Sequence, residues 1–424
     1  MADDVKLGTR RPFGQNYAFV VAAAVFLAML ASAGLRSAPG VLMLPLEKAF
    51  GWDRPTVSLS AGIGILLYGL TGPFAAAMMQ TFGVRRMVTL ALGLMALATG
   101  LSVFMTEAWQ YIATWGIMAG FGTGVVAMVL GATVVNRWFV ARRGLILGLL
   151  TASTATGTLI FLPAMAAVAE HDGWKPVAIG VSMLTGILAP LMWVLLPERP
   201  ADIGLRPYGA PDNYVAPPPP PNSAIGNAFA ALARAAKTRT FWLLSMGFFV
   251  CGLTTNGLVG THMIALCGDH GMSETSAAGL LAMMGVFDLI GTTASGWLSD
   301  RYDPRKLLFV YYGLRGLSLI VLPFTDFSLV SLSFFAVFYG LDWIATVPPT
   351  VRLATETFGD RDGPIVFGWI AAGHQAGAAT AAITAGVMRT LQGQYVEAFV
   401  LAGLTAFIAA FASIMIRREV LAAS

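Results

Sequence analysis

Between Pro197 and Thr240 the chain reads PERPADIGLRPYGAPDNYVAPPPPPNSAIGNAFAALARAAKTRT, its only long polar stretch. The run Pro217–Pro221 offers no amide hydrogens to a helix and reads as an extended spacer. The later part, Ala224–Lys237, reads as a surface helix leading into the next apolar segment. Six apolar segments precede this divider: Tyr17–Leu46, Thr56–Met79, Met87–Met105, Trp109–Val135, Gly144–Val168 and Trp174–Leu196. Six follow it: Phe241–Leu266, Ser273–Leu298, Leu307–Pro323, Phe327–Leu353, Gly363–Met388 and Tyr395–Ile416. Each is long enough, or nearly so, to cross a hydrocarbon layer of about 30 Å at about 1.5 Å per residue. None alternates as a barrel strand does. The expected fold is an all-α polytopic membrane protein with twelve transmembrane helices in two six-helix bundles, 17–196 and 241–416. The linker is 197–240, and the tails are 1–16 and 417–424.

Composition excludes a soluble globule. Apolar residues make up 57% of the 424 and charged ones 11%, where a soluble chain carries about a quarter charged residues. So little polar surface could not cover one aqueous core, whereas lipid can face an apolar exterior. The 47 glycines are spread through the apolar segments, where they let helices approach closely. Cys251 and Cys267 form no CxxC, and no disulfide framework is readable. The first apolar segment runs too long for a cleaved leader and reads as a retained anchor.

The net charge is +4, but its placement matters more than its sum. With the N-terminus inside the cell, twenty of the 26 lysines and arginines fall on the inner side. Only Lys48, Arg54, Lys175 and Arg389 fall outside, and Arg36 and Arg315 lie within segments. This positive-inside bias predicts cytoplasmic termini and a cytoplasmic central stretch, in a cell membrane that is expected to be a bacterial inner membrane. The two parts also repeat weakly. Gly51-Trp52 corresponds to Gly271-Met272, 83–86 to 303–306, and Arg142-Arg143-Gly144 to Arg361-Asp362-Gly363. Paired six-span repeats suit a carrier that binds substrate between them.

No enzyme constellation is visible. His171, His262, His270 and His374 lack metal spacing, and there is no HExxH, P-loop, GxSxG or dinucleotide fingerprint. No cofactor, metal or nucleic-acid partner is expected, and any energy must come from gradients. The informative residues are ionisable ones inside segments, because a charge there is costly unless it faces a cavity or a partner. Arg36 stands between Gly34 and Pro39-Gly40, which are expected to weaken or bend its helix. Its planar fork suits a carboxylate, or else it snorkels or pairs with an acid. Asp288 lies midway along its segment and reads as a proton carrier, as a gate held by Arg315 or Arg36, or as a structural ion pair. Arg315 is expected to pair with Asp342 or Asp288, in preference to touching substrate. Asp342 opens a stretch ending in Pro348-Pro349, which is expected to be irregular. His374 and Gln375 either donate to substrate or tie neighbouring helices together, and Tyr68 and Asn256 are weaker lining candidates. Trp52, Trp109 and Trp174 read as interface anchors.

At Gly296-Trp297-Leu298-Ser299-Asp300-Arg301-Tyr302-Asp303-Pro304-Arg305-Lys306 the chain resembles the loop signature G-x-L-x-D-R-x-x-x-R-[RK] of the major facilitator superfamily. The resemblance covers essentially the whole length. It implies a charge lock in which Asp300, Arg301 and Arg305 act as gating residues. The first-half copy, Gln80–Arg86, keeps the basic end but lacks the aspartate. The stretch Asn136–Gly148 and Phe50-Gly51-Trp52 are similar to the monocarboxylate transporter-like branch, which includes bacterial oxalate/formate-type relatives. By that resemblance Asp288 falls on an aspartate implicated in proton coupling. The arginine that animal members carry four residues on is here Thr292.

The expected function is secondary transport of a small organic anion, a mono- or dicarboxylate, by alternating access. Proton symport is preferred to anion exchange, and the carrier is expected to work as a monomer. Arg36 would neutralise the carboxylate, supported by Arg315, and Asp288 would bind the proton. The alternatives are an exporter of drug-like or amphipathic metabolites, and a nontransporting membrane sensor.

Overall fold

The computed structural model describes residues 14–211 and 224–416. The tails, with their basic residues Lys6, Arg10, Arg11, Arg417 and Arg418, and the run Pro217–Pro221 lie outside the described residues. The first part of the chain forms α1 (Tyr17–Phe50), α2 (Arg54–Phe82), α3 (Val84–Ser102), α4 (Ala108–Trp138), α5 (Arg143–Asp172) and α6 (Trp174–Leu195). A connecting helix α7 (Ala224–Ala235) follows. The later part forms α8 (Arg239–Asp269), α9 (Glu274–Arg301), α10 (Pro304–Val321), α11 (Leu329–Asp342), α12 (Val347–Gln392) and α13 (Val396–Ile414). Among the described residues, eleven helical stretches are long and apolar enough to cross a membrane. The expected segment Gly363–Met388 is helical within α12 but is not one of them. It consists largely of glycine, alanine and threonine, with His374 and Gln375 mid-helix.

The helix ends follow from local chemistry. Asp53, Ser273 and Ser328 accept the first free amides of α2, α9 and α11. Glu198, just beyond α6, accepts from the amides of Val84 and Arg85 at 2.7 and 3.0 Å and so caps α3. α1 runs helical through Pro39 and Pro45, so Pro39-Gly40, where a weakening or bend is expected, does not interrupt it. Gly40 instead lets α1 approach the Gly260 and Thr261 carbonyls of α8.

Two interruptions matter more. α4 and α8 each contain a wider π-helical stretch, Ile112–Met118 and Leu253–Val259. Between α11 and α12 the helix breaks at 343–346, just before Pro348-Pro349. The prolines sit in the first turn of α12, where a missing amide hydrogen costs nothing, so they open the new helix rather than distort the old one. α12 itself turns at Gly359 (φ 77°, ψ 169°).

The first and later parts meet along α2 against α12 and α5 against α9. α8 packs against α12 at glycines, and a Cβ on Gly252 would collide with the His374 carbonyl. Large apolar side chains such as Leu90, Ile187, Phe334 and Ile408 point outward and are more than half exposed, as a lipid-facing surface requires.

Candidate functional site

Arg36 projects from α1 toward α2. Its guanidinium lies 4.8 Å from the centre of the Tyr68 ring, within cation–π range. Among the described residues no carboxylate or carbonyl accepts from it. One residue along α1, Ser37 faces Thr158 of α5 at 3.4 Å. Gly69, next to Tyr68, lies beneath the Gln375 side chain of α12. Gln375 thus packs on α2 one residue from Tyr68, the ring that Arg36 faces. His374 is not turned that way, since its ring packs against Phe248 of α8 at 5.5 Å. Asn256 lies in the π-helical stretch of α8, partly buried, its carbonyl accepting from Thr261 at 2.9 Å.

Arg315 has a different fate. It is wholly buried in α10 and its donors are taken. Nε reaches Asp342 at 2.6 Å, Nη1 reaches the Cys251 sulfur at 3.1 Å, and Nη2 donates to the Asp342 and Trp343 carbonyls. Of its two expected partners, Asp342 makes the ion pair. Asp342 Oδ1 is buried without a hydrogen-bond partner. Asp288 stands on α9 beside the same group and is nearly buried. Its Oδ1 accepts from Thr292 and from the Ile344 amide, both at 2.9 Å.

At the loop of the superfamily signature, Arg305 pairs with Asp303 at 2.6 Å and donates to the Ile416 carbonyl. Asp300 is exposed and makes no ion pair among the described residues, and Arg301 stacks on Trp297 at 4.1 Å. Asp303 also caps α10 two residues before Arg305, whereas Asp300, near the end of α9, faces outward. Near this end α7 spans both parts of the chain. Phe229 packs between Phe74 of α2 and Trp369 of α12, Trp369 donates to the Ala228 carbonyl at 3.0 Å, and Arg234 pairs with Asp362.

The opposite end holds a cluster that the sequence did not single out. Arg54 at the start of α2 is nine-tenths buried. It bonds Glu47 of α1 at 2.9 Å, Asp269 of α8 at 2.7 and 2.5 Å, and the Tyr395 hydroxyl at 3.2 Å. Arg389 of α12 reaches the same Asp269 at 2.7 Å. Tyr395, accepting from Arg54, shares a hydrogen bond with His262 Nδ1 at 2.9 Å, and His262 Nε2 donates to the Ala382 carbonyl at 2.8 Å. The carbonyl can only accept, so Nε2 carries a proton. A cavity of about 300 Å³ lined by Glu47, Trp52, Asp53, Arg54, Arg389 and Thr390 opens above this cluster. Arg54 and Arg389 had read as ordinary loop charges.

Comparison with known sequences decides the family. The profile of the Major Facilitator Superfamily matches residues 25–351 and again 269–422. The chain belongs to that superfamily. Major Facilitator Superfamily proteins are transporters and not enzymes, so this carrier works by secondary transport with alternating access. It is 27% identical over 323 residues to an uncharacterized MFS-type transporter, YcxA, of Bacillus subtilis, covering 74% of each chain. It is 26% identical over 417 residues to monocarboxylate transporter 13 of Rattus norvegicus, covering 96% of this carrier and 90% of that one. Among solved structures, a bacterial homolog of the human lysosomal transporter Spinster, inward-facing and unoccupied, superposes with a TM-score of 0.76 at 15% identity. That match covers 96% of this carrier and 99% of the homolog. The nucleoside transporter NupG superposes at 0.74 with 11% identity, over 95% of this carrier and all of that chain. These structural likenesses speak to the fold.

Proposed function

We propose that this carrier moves a small organic anion, a mono- or dicarboxylate, by symport with protons. The carrying observation is the contrast between its two buried-segment arginines. Arg315 has spent its donors on Asp342, Cys251 and backbone carbonyls. Arg36 keeps a whole guanidinium against one aromatic face, with no acid among the described residues. A planar fork beside a tyrosine ring suits a carboxylate in two-pronged contact. Gln375, and less directly Asn256, would contribute hydrogen bonds, while His374, turned toward Phe248, would reach substrate only after a change of its ring's direction. The 26% and 27% identity to monocarboxylate transporters 13 of rat and cattle supports the same substrate class.

In this reading Asp288 takes the proton. Substrate and proton together leave fewer unpaired buried charges, so the loaded carrier changes state at lower cost. The reading includes twelve spans in two six-helix bundles, 17–196 and 241–416, with both termini and the central stretch cytoplasmic in a cell membrane. The positive-inside bias supports that orientation. The Arg54 end is then the outer mouth, held shut here, and the Arg305 end is the inner one.

The test is uptake into proteoliposomes of labelled lactate, pyruvate, acetate, oxalate and larger carboxylates, with and without an inward proton gradient. Gradient-driven uptake that is lost in Asp288→Asn and in Arg36→Gln is expected. Uptake that needs only an internal anion, with Asp288→Asn active, replaces symport by exchange. Intact protein that moves no carboxylate under either condition sinks the organic-anion reading in favour of an exporter.

A further inference from the structure

The break at 343–346 leaves backbone groups without helical partners inside a membrane protein, where water cannot supply them. Side chains from two other helices take backbone groups of the break over, and a third helix adds a side-chain contact. Arg315 of α10 accepts none of the load as an acid would; it donates to the Asp342 and Trp343 carbonyls. Ser295 of α9 donates to the Ala345 carbonyl at 2.5 Å. Asp288, two turns earlier on α9, accepts the Ile344 amide at 2.9 Å. Cys251 of α8 meets the Thr346 hydroxyl at 3.3 Å. The Arg315 and Ser295 contacts are indifferent to protons near neutrality, and the Cys251 contact reaches a side chain and not the backbone. The fourth ends on a carboxylate.

We propose that the break at 343–346 is a hinge whose stiffness is set by the proton on Asp288. This deepens the preceding reading and rests on its assignment of Asp288 as the proton carrier. A hydrogen bond to an ionised acceptor is roughly twice as strong as one to a neutral acceptor. With Asp288 ionised, the Ile344 amide is clamped to α9. With Asp288 protonated, the same oxygen is a neutral acceptor, and the turn can reorganise while α9 and α12 move apart. The proton site and the moving backbone are one contact, so no longer pathway is needed to join them.

The charged groups around Asp288 fit this role. Arg315 of α10 and Asp342 of α11 form the pair at its side, and the Cys251 thiol of α8 closes the group. α5, packed along the other face of α9, has its titratable side chains at its ends: Arg143, Glu170, His171 and Asp172. α12 approaches α9 with Arg352 and Glu356 near Ser299, at the far end of α9 from Glu274. From α8, His262 and Asp269 belong to the cluster at the Arg54 end. The Arg315–Asp342 pair and Cys251 therefore share the immediate surroundings of Asp288, with Tyr311, Tyr312 and Tyr339 around them and His374 of α12 against the far side of Cys251.

Hydrogen–deuterium exchange of the whole carrier in nanodiscs reads the hinge directly, on peptides covering 342–348. After correction for intrinsic exchange, wild-type protection is expected to fall several-fold between about pH 8 and about pH 5, the range in which a buried carboxyl can titrate. Asp288→Asn is expected to show the low protection at every pH. Ser295→Ala, which weakens the break without touching the acid, is expected to exchange faster while keeping the pH dependence. Protection that is flat with pH in the wild type, or unchanged in Asp288→Asn, overturns the hinge. Proteoliposome uptake distinguishes the two claims. If exchange is flat while Asp288→Asn loses proton-driven uptake, the hinge fails and the proton carrier stands. If exchange responds as stated while Asp288→Asn still accumulates substrate on a proton gradient, the hinge is proton-sensitive but Asp288 is not the coupling residue.

Discussion

The Arg54 guanidinium grips Asp269 with two nitrogens at once, at 2.7 and 2.5 Å, and so ties the start of α2 to the end of α8. These residues are 215 positions apart in the chain. Arg389 holds the other flank of the same carboxylate, and Lys48–Glu274 and Glu170–Thr275 add weaker ties across the same mouth. Arg54→Ala leaves Asp269 and Glu47 partly buried with fewer counter-charges. Breaking a buried pair by removing one partner costs about 3 kcal/mol or more, which is roughly a hundredfold change in population. The closed form of this mouth should lose ground accordingly. Maleimide labelling of Ser58→Cys, at a wholly buried site one turn inside Arg54, should speed up strongly in the Arg54→Ala background. Unchanged labelling would mean that other contacts hold the mouth.

Arg36 and Tyr68 should separate by substitution. Arg36→Gln removes the cation and should reduce carboxylate uptake to background without lowering thermal stability, since no ion pair is lost. Tyr68→Phe keeps the aromatic face and should transport nearly normally. Tyr68→Leu removes it, and a cation–π contact of about 0.5–1 kcal/mol converts to a few-fold rise in KM. A Tyr68→Leu carrier with unaltered KM would show that the ring does not position Arg36.

Arg315 and Asp342 should behave as a unit of stability. Arg315→Leu or Asp342→Asn alone leaves a buried group uncompensated and should cost about 3–5 kcal/mol. A large fall in Tm in detergent would report it. The double substitution Arg315→Met with Asp342→Leu should recover much of that loss. Single variants of wild-type Tm would contradict the buried-pair reading, as would a double variant no better than the singles.

The strap α7 should be detachable. Phe229→Ala removes the ring shared by Phe74 and Trp369 and should free the helix. Trypsin should then cut at Arg234 and Lys237 several-fold faster, with the core helices intact. Cutting at the wild-type rate would place the hold in Arg234–Asp362 instead.

The sequence carried most of the helical layout, because the length of an apolar run answers directly to membrane thickness. Gly363–Met388 read as a span from its flanks and its length, although its composition is the least lipid-like. The partner of Arg315 was legible for a simple reason: a buried arginine needs an acid, and few acids lie inside segments. Pro348-Pro349 announced the break, but the side chains that hold it come from α8, α9 and α10, and nothing local in the sequence places them there. Arg54 was illegible for the opposite reason. At a segment border a charge looks solvated, and only the approach of α1, α8, α12 and α13 buries it.

α1 is a single rod of 34 residues, about 51 Å long at about 1.5 Å per residue. One polar contact with α5, Ser37 against Thr158, lies off centre along their shared face. About 30 Å of the rod lies toward Tyr17 and about 20 Å toward Phe50. Taken as a fulcrum, Ser37 makes α1 a first-class lever with unequal arms. A rotation of about 5° displaces the Phe50 tip by nearly 2 Å and the Tyr17 tip by nearly 3 Å, given those arm lengths. The shorter arm carries Glu47, whose bond to Arg54 has far less than 2 Å to spare. The longer arm carries Tyr17, bonded to the Leu195 carbonyl at 3.1 Å. A tilt too small to disturb the packing around its pivot would therefore let go of both ends at once.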